Sequence, residues 1–167
     1  MTEQSRRPLQ DTSLFDRFER HVVLVCPEIH WNTGNIGRTC LGTGAQLHLI
    51  KPLGFSLEDR YLKRAGLDYW HRVDVTLWND FSTFEERIKP RPEEMFLWTK
   101  KGSRSLWHLP QRKKMFLVFG SETGGLPASI LDAYSSTTYA IPMQSSIRSL
   151  NLSTAVGIAL YQSYRPA

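Results

Sequence analysis

Three polar segments of the chain combine glycines with residues that bind anions or hold protons. Residues 32–39 read NTGNIGRT and end near Arg38, and residues 119–127 read FGSETGGLP around Glu122. Residues 141–153 read IPMQSSIRSLNLS and contain an arginine and an asparagine. Glycines allow tight turns and let a ligand approach backbone N–H groups closely. The three segments are therefore the candidates for a site that binds a polar or anionic ligand.

These segments differ from the common nucleotide-binding and hydrolase motifs. A Walker A loop has four residues between its glycines and a lysine after the second, whereas Gly34 and Gly37 are separated by two residues and Arg38 follows. Residues 119–127 lack both the dinucleotide-binding spacing and the G-x-S-x-G pattern, so Ser121 is not predicted to be a nucleophile. A nucleotide hydrolase is therefore disfavoured. Each segment alone is also compatible with an ordinary turn or helix cap.

Hydrophobic periodicity predicts the elements that position these segments. Strands are predicted at residues 21–26, 45–50, 72–78, 95–99, 115–119 and 137–141, and helices at residues 57–66, 81–88, 127–133 and 151–164. Apolar strands that alternate with helices indicate an α/β fold with a mainly parallel sheet. Ligands bind such sheets at loops beyond the carboxyl ends of the strands.

The first polar segment is predicted to be a loop that leads into a helix ending at Gly44. This reading places Arg38 in the first helical turn, with asparagines capping the helix. A cation is unfavourable there because of the helix dipole, and its presence suggests an anionic partner. The alternative is a simple cap beside a surface arginine.

Length and composition predict one folded domain without a membrane span. The chain has 167 residues, of which 41% are hydrophobic and 22% charged. We expect residues 1–20 to be a polar extension without a signal peptide and residues 21–167 to be the domain, in the cytoplasm. Cys26 and Cys40 are predicted to be reduced core residues, and no metal site is expected.

Positive charge is concentrated in two regions. The net charge is +5, residues 100–114 contain six lysines and arginines without an acid, and no acidic residue follows Asp132. RNA is a natural partner for such a pattern. A solvated basic loop explains the charge equally well.

Together, the three segments resemble the three motifs of the SpoU–TrmH class of SPOUT RNA 2′-O-methyltransferases, over residues 22–164. Residues 27–38 (PEIHWNTGNIGR) and 64–71 (RAGLDYWH) are most similar to the minimal TrmL (YibK) group of tRNA wobble-nucleotide enzymes. The resemblance implies an α/β domain with a C-terminal deep trefoil knot. It also implies S-adenosylmethionine as the cofactor, tRNA as the substrate and a homodimer formed through the first-motif and C-terminal helices.

The resemblance carries site residues over by position. The catalytic or RNA-contacting positions are Arg38, Glu122, Arg148, Asn151 and Tyr161. The cofactor-binding positions are Trp98, Gly120, Ile141 and Ser149, with weaker matches at Leu97, Thr99, Met143 and Leu150. We expect Arg38 to orient the ribose 2′-OH and to stabilise oxyanion charge rather than to act as a base, because a guanidinium stays protonated in proteins.

Some positions depart from the family pattern. His30 and Trp31 stand where the group has prolines, Gly37 where it has a bulky apolar residue, and Ser121 and Gly124 where it has proline and arginine. Trp31 could replace the arginine by stacking on a base, or it could be a core residue. The expected function is 2′-O-methylation of the wobble cytidine or uridine. The alternatives are another tRNA or rRNA nucleotide, or a catalytically silent RNA-binding homologue.

Overall fold

The computed structural model describes residues 13–57 and 69–166, which form an α/β domain. The strands are β1 (Glu19–Val25), β2 (Gln46–Ile50), β3 (Val75–Trp78), β4 (Met95–Trp98), β5 (Arg104–Ser105), β6 (Lys114–Phe119) and β7 (Thr138–Ala140). The α-helices are α1 (Ser13–Asp16), α2 (His30–Thr43), α3 (Phe81–Ile88), α4 (Ala128–Ala133) and α5 (Leu152–Ser163). Short 3₁₀ turns cover Trp70–Arg72, Pro92–Glu94, Leu106–His108 and Ser135–Thr137.

All seven strands belong to one sheet, in the order β3-β2-β1-β6-β4-β7-β5. Every neighbouring pair is parallel, so the carboxyl ends of the strands meet at one edge. The prediction of a mainly parallel sheet is therefore confirmed. None of the helices within the described ranges has the length and hydropathy needed to span a bilayer.

Each face of the sheet is covered by two helices. Side chains alternate along the central strands, so each strand places apolar residues on both faces. Val22 and Leu24 of β1 pack on the face covered by α2 and α5. Val23 and Val25 pack on the other face, against Phe84 of α3. The two burial clusters explain why the strands read as continuous apolar runs. Of the two cysteines, both free, Cys40 lies in this core as predicted, whereas Cys26 is only partly buried.

A buried arginine attaches the end of α5 to the sheet. Arg20 donates from Nε to Ser163 Oγ (2.9 Å) and from Nη2 to the Ser163 carbonyl (2.7 Å), with the Phe18 and Tyr164 rings beside it. Burial lowers the pKa of Arg20 to about 10, which leaves it charged at neutral pH. A cation at a helix C-terminus is favourable, so Arg20 holds α5 in place.

Two buried histidines form a chain of hydrogen bonds across β1 and β2. Trp78 Nε1 donates to His48 Nδ1 (3.1 Å), His48 Nε2 lies 3.0 Å from His21 Nδ1, and His21 Nε2 lies 2.9 Å from Glu19 Oε1. Each ring then has one donor and one acceptor nitrogen, which is the neutral form. Burial lowers the pKa of both histidines, for His48 to about 3.

The structure corrects the prediction for the first motif. Residues 32–39 are not a loop, because α2 begins at His30 and runs through them. Arg38 consequently lies in the third turn of α2 rather than the first, and the dipole argument for an anion partner no longer holds. The N-cap of α2 is Ile29, which provides no side-chain cap, so the predicted asparagine cap is also wrong.

The other predicted elements agree with the structure apart from their ends. Helix α1 and strand β5 were not predicted, and α1 lies within residues 1–20, which were expected to be a polar extension. Strand β1 begins at Glu19, two residues before the predicted strand, and β3 is shorter than residues 72–78 because Trp70–Arg72 form a 3₁₀ turn. The helix predicted at residues 57–66 lies outside the described residues apart from Leu57, which is not helical.

Candidate active site

A cavity of about 470 Å³ lies at the carboxyl edge of the sheet, between the loops that follow β4, β6 and β7. Seven of the eight predicted cofactor positions line it, namely Trp98, Thr99, Gly120, Ile141, Met143, Ser149 and Leu150. Leu97 does not line it. Its side chain is fully buried on the opposite face of the sheet, beside Val23 and Val118, because neighbours along a strand point to opposite faces. Leu97, one of the weaker cofactor-binding candidates, therefore has its side chain outside the cavity.

The loop after β6 forms the cavity floor and requires glycine at its start. Ser121 and Gly125 exchange backbone hydrogen bonds of 3.2 and 3.0 Å, and Gly125 has a φ of 69°. A Cβ on Gly120 would lie 1.9 Å from the Gly125 carbonyl carbon. Only glycine at position 120 allows the loop to fold back this closely.

Aromatic side chains make one wall of the cavity apolar. The Trp98 ring stacks on Phe119 at 6.0 Å between centroids and lies 5.7 Å from Tyr139. The Trp98 Nε1–H is buried and has no hydrogen-bond partner among the described residues. The wall that these rings form is thus apolar.

Glu122 connects the second motif to the start of α2. Its Oε2 accepts from the Glu28 N–H (2.7 Å), and its Oε1 accepts from the Ile29 N–H (3.2 Å) and from Asn32 Nδ2 (2.9 Å). A carboxylate at a helix N-terminus also interacts favourably with the helix dipole. Glu122 therefore provides the cap that the sequence of α2 lacks.

Asn151 connects the third motif to the same network. Its Nδ2 donates to Asn32 Oδ1 (2.9 Å), while its Oδ1 accepts from the backbone N–H groups of Ser153 and Thr154. Asn151 is also the N-cap of α5. A continuous chain of hydrogen bonds thus joins Glu122, Asn32 and Asn151, one residue from each motif.

Two residues of this arrangement are absent from the sequence-based candidates. Asn32 lies in the middle of the network, and Glu28 accepts from the Thr123 N–H (3.1 Å) and from Thr123 Oγ1 (2.6 Å). Glu28 and Glu122 therefore bind each other's loops reciprocally. The signal for Asn32 was its place in the first motif, which was interpreted as a helix cap. Glu28 lies in the family-like run 27–38, but its partner Thr123 is far away in sequence, so its role was not predicted.

Arg38, Arg148 and Tyr161 do not line the cavity. Arg38 is exposed and lies over the Tyr69 ring, about 9 Å along the helix axis from Asn32. Arg148 is exposed in the loop that follows β7. Tyr161, on α5, is 56% exposed and contacts the Phe15 ring. Of the five predicted catalytic or RNA-contacting residues, the structure brings Glu122 and Asn151 to the cavity.

Basic side chains lie beside the cavity. Lys100 and Lys101 line it, and Arg104 donates to the hydroxyl of Tyr139, which also lines it, at 3.3 Å. Lys114 lies at the start of β6, at the opposite edge of the sheet, and is paired with Glu19. Within residues 13–57 and 69–166, no cluster of histidine, cysteine, aspartate and glutamate is arranged to hold a metal ion.

Fold and site define an RNA methylase domain. A family model described as the SpoU rRNA Methylase family matches residues 19–161, and the chain belongs to this family. Membership, together with the parallel sheet, confirms the predicted fold class, the α/β knot of SPOUT methyltransferases.

Individual relatives are similar over nearly their whole length. A tRNA (cytidine(34)-2′-O)-methyltransferase of Yersinia pestis is 45% identical over 149 residues, covering 87% of this chain and 92% of the relative. The enzyme of that name from Escherichia coli K12 is 44% identical, with coverages of 87% and 92%. A solved structure described as giving insight into the 2-OH methylation of C/U34 on tRNA superposes with a TM-score of 0.80, at 44% identity and coverages of 89% and 96%.

Proposed function

We propose that the protein is an S-adenosylmethionine-dependent methyltransferase that methylates the ribose 2′-OH of the wobble cytidine or uridine of tRNA. The observation that carries this proposal is the hydrogen-bonded chain from Glu122 through Asn32 to Asn151 at the cavity. It joins the three motifs of a methylase family into one site. The relatives named for position 34 of tRNA support the choice of nucleotide.

The cavity fits the proposed cofactor in size and chemistry. A volume of about 470 Å³ lies within the ~300–1,000 Å³ range of small-molecule sites. The Trp98 wall offers an apolar surface, and the loop from Gly120 offers closely approachable backbone groups. Gly120, Ile141, Ser149 and Leu150 would hold the cofactor with Trp98. When bound, S-adenosylmethionine supplies an electrophilic methyl group on a sulfonium.

The residues of the chain exclude water, orient the ribose hydroxyl and stabilise the charge that develops on it. The apolar wall excludes water from the reacting groups, and the network anchored by Glu122 fixes the loop beneath them. Arg38 orients the ribose hydroxyl and stabilises the negative charge that develops on its oxygen. Because a guanidinium stays protonated, the hydroxyl proton passes to a neighbouring phosphate or carboxylate rather than to Arg38.

Arg38 lies outside the cavity of its own chain, which supports a homodimeric enzyme. We propose that Arg38 of one subunit works at the cavity of its partner. Helices α2 and α5 pack together, and α5 exposes Ile158 and Tyr161, an apolar surface suited to a partner. A dimer at micromolar concentration in light scattering supports this arrangement, and a monomer contradicts it.

The substrate side of the site is basic. Lys100 and Lys101 line the cavity, whereas residues 112–114 lead into β6 at the opposite edge of the sheet. Phosphate groups of a tRNA next to its target ribose would meet these charges. A tRNA substrate also makes the cytoplasm the proposed location.

The substitution Arg38→Lys tests the proposed role of the arginine. Lysine keeps the charge but lacks the planar donor fork, so methyl transfer should fall strongly. Binding of S-adenosylhomocysteine, measured by calorimetry, should stay within about twofold of wild type. Near-normal turnover in this variant contradicts the role. A wild-type protein that binds tRNA but not S-adenosylhomocysteine would instead be a catalytically silent homologue.

A further inference from the structure

Tyr69 contacts α2 on the side that carries Arg38. Its hydroxyl donates to the Gly34 carbonyl (2.8 Å), and the Arg38 guanidinium carbon lies 4.5 Å from the centroid of its ring. We propose that Tyr69 is a positioning residue that fixes the direction of the Arg38 guanidinium for methyl transfer. This inference rests on the proposed function, because it assigns Tyr69 a role through Arg38.

Stacking positions a guanidinium without using its hydrogen-bond donors. Within the described ranges, Arg38 makes no ion pair or hydrogen bond, so the Tyr69 ring is the contact that restrains its head group. A carboxylate partner would restrain the head group too, but it would occupy the donors that a ribose hydroxyl or phosphate requires. The ring restrains the head group without adding a carboxylate that would occupy its N–H groups.

The segment that carries Tyr69 is itself anchored to α2. A Cβ on Gly37 would lie 2.6 Å from Trp70 Cζ3, so the Trp70 ring fills the space above this glycine. The 3₁₀ turn after Tyr69 is closed by a hydrogen bond from the Arg72 N–H to the Tyr69 carbonyl (2.9 Å), and Val73 beyond it is buried. Residues 69–73 and α2 therefore pack firmly against each other next to Arg38.

The test compares variants that keep or remove the ring. Tyr69→Phe keeps the ring and loses only the hydroxyl, so kcat for tRNA methylation should stay within about threefold of wild type. Tyr69→Leu removes the ring, and kcat should fall roughly ten- to a hundredfold because small displacements of a reacting group cost about that much. The KM for tRNA and the affinity for S-adenosylhomocysteine should change less than about twofold. An unchanged kcat in Tyr69→Leu overturns the proposal.

A double variant separates positioning from a general structural effect. If Tyr69 acts through Arg38, adding Tyr69→Leu to Arg38→Lys should lower kcat by no more than about twofold further. If the fold-reduction in kcat of the double variant equals the product of the two single reductions, the residues act independently and the proposal is overturned. Tyr134→Leu is the matched control, because Tyr134 is a half-buried tyrosine outside the cavity with one hydroxyl partner, Glu85. It should lower the unfolding midpoint without changing kcat.

A spectroscopic readout does not depend on activity. Nitrogen-15 relaxation of the Arg38 Nε–H should show a restrained side chain in wild type and in Tyr69→Phe, and a mobile one in Tyr69→Leu. A mobile Arg38 in the wild-type protein overturns the proposal even if Tyr69→Leu fails to fold. If wild type transfers no methyl group to tRNA, the proposed function fails, while the relaxation data still decide whether Tyr69 restrains Arg38.

Discussion

Replacing Glu122 by glutamine tests whether a carboxylate from the second motif caps α2. Glutamine can keep Oε1 as the acceptor for Ile29 and Asn32, but its amide nitrogen then faces the Glu28 N–H, where Oε2 now accepts at 2.7 Å. Loss of one hydrogen bond to a charged group is worth ~1.5–3 kcal/mol. Loss of the negative charge at the helix N-terminus adds ~0.3–1 kcal/mol. Because Glu122 is only half-buried, we expect the lower part of the combined range, about 2 kcal/mol.

Urea denaturation at a fixed protein concentration, followed by tryptophan fluorescence, measures this free energy of unfolding. The control is Glu86→Gln on α3, since Glu86 is exposed and has no hydrogen bond or ion pair within the described parts of the chain. It should change the free energy by less than about 0.5 kcal/mol. Glu122→Gln should also weaken S-adenosylhomocysteine binding, because the loop from Gly120 loses its anchor. A variant as stable as the control would refute the capping role.

Three further outcomes follow from the structure. The histidine pair should make the free energy of unfolding depend on pH. Burial lowers the pKa values of His21 and His48 in the folded state, so their full contribution to stability is present above the unfolded-state pKa of ~6.5 and decreases as the pH drops below it. His48→Gln should flatten this slope between pH 6.5 and 4.5 in denaturation curves, whereas an unchanged slope argues against it. Gly120→Ala should abolish S-adenosylhomocysteine binding because its Cβ would collide with Gly125, and calorimetry showing wild-type affinity contradicts the loop geometry. Trp31→Ala should raise the KM for tRNA about tenfold while Trp31→Phe stays near wild type, and equal values for both variants would exclude stacking.

The sequence predicted the sheet and most helices because their signals are local. Apolar runs of strand length and the spacing of Phe81, Phe84 and Ile88 depend on neighbours in the chain. The start of α2 could not be predicted this way. Its first turns contain asparagine and glycine, which are weak helix formers, and the cap comes from Glu122, 90 residues beyond Asn32.

The candidate site was predicted in composition better than in arrangement. The motif resemblance indicated most of the cavity residues. Because successive side chains of a strand point to opposite faces of the sheet, the Leu97 side chain lies away from the cavity that Trp98 lines. For Trp31 the sequence left a base-stacking surface and a core position open. The structure decides against the core, since the side chain is 60% exposed between Ile29 and Asn32, which both line the cavity.

The contact between Tyr69 and Arg38 joins residues that no pattern in the sequence pairs. Their meeting depends on how residues 69–72 dock on α2, and this docking depends on the absence of a side chain at Gly37. Such complementarity between one residue and a distant neighbour is a property of tertiary packing. It becomes visible only in three dimensions.

The central claim is tested most directly by methyl transfer to tRNA with the position identified. The protein is incubated with labelled S-adenosylmethionine and a transcribed tRNA that carries cytidine or uridine at position 34, and the digested RNA is mapped by mass spectrometry. We predict a 2′-O-methyl group at nucleotide 34, and no transfer to the same tRNA with 2′-deoxyribose at that position. A methyl group at another nucleotide, or none on any tRNA, would contradict the account.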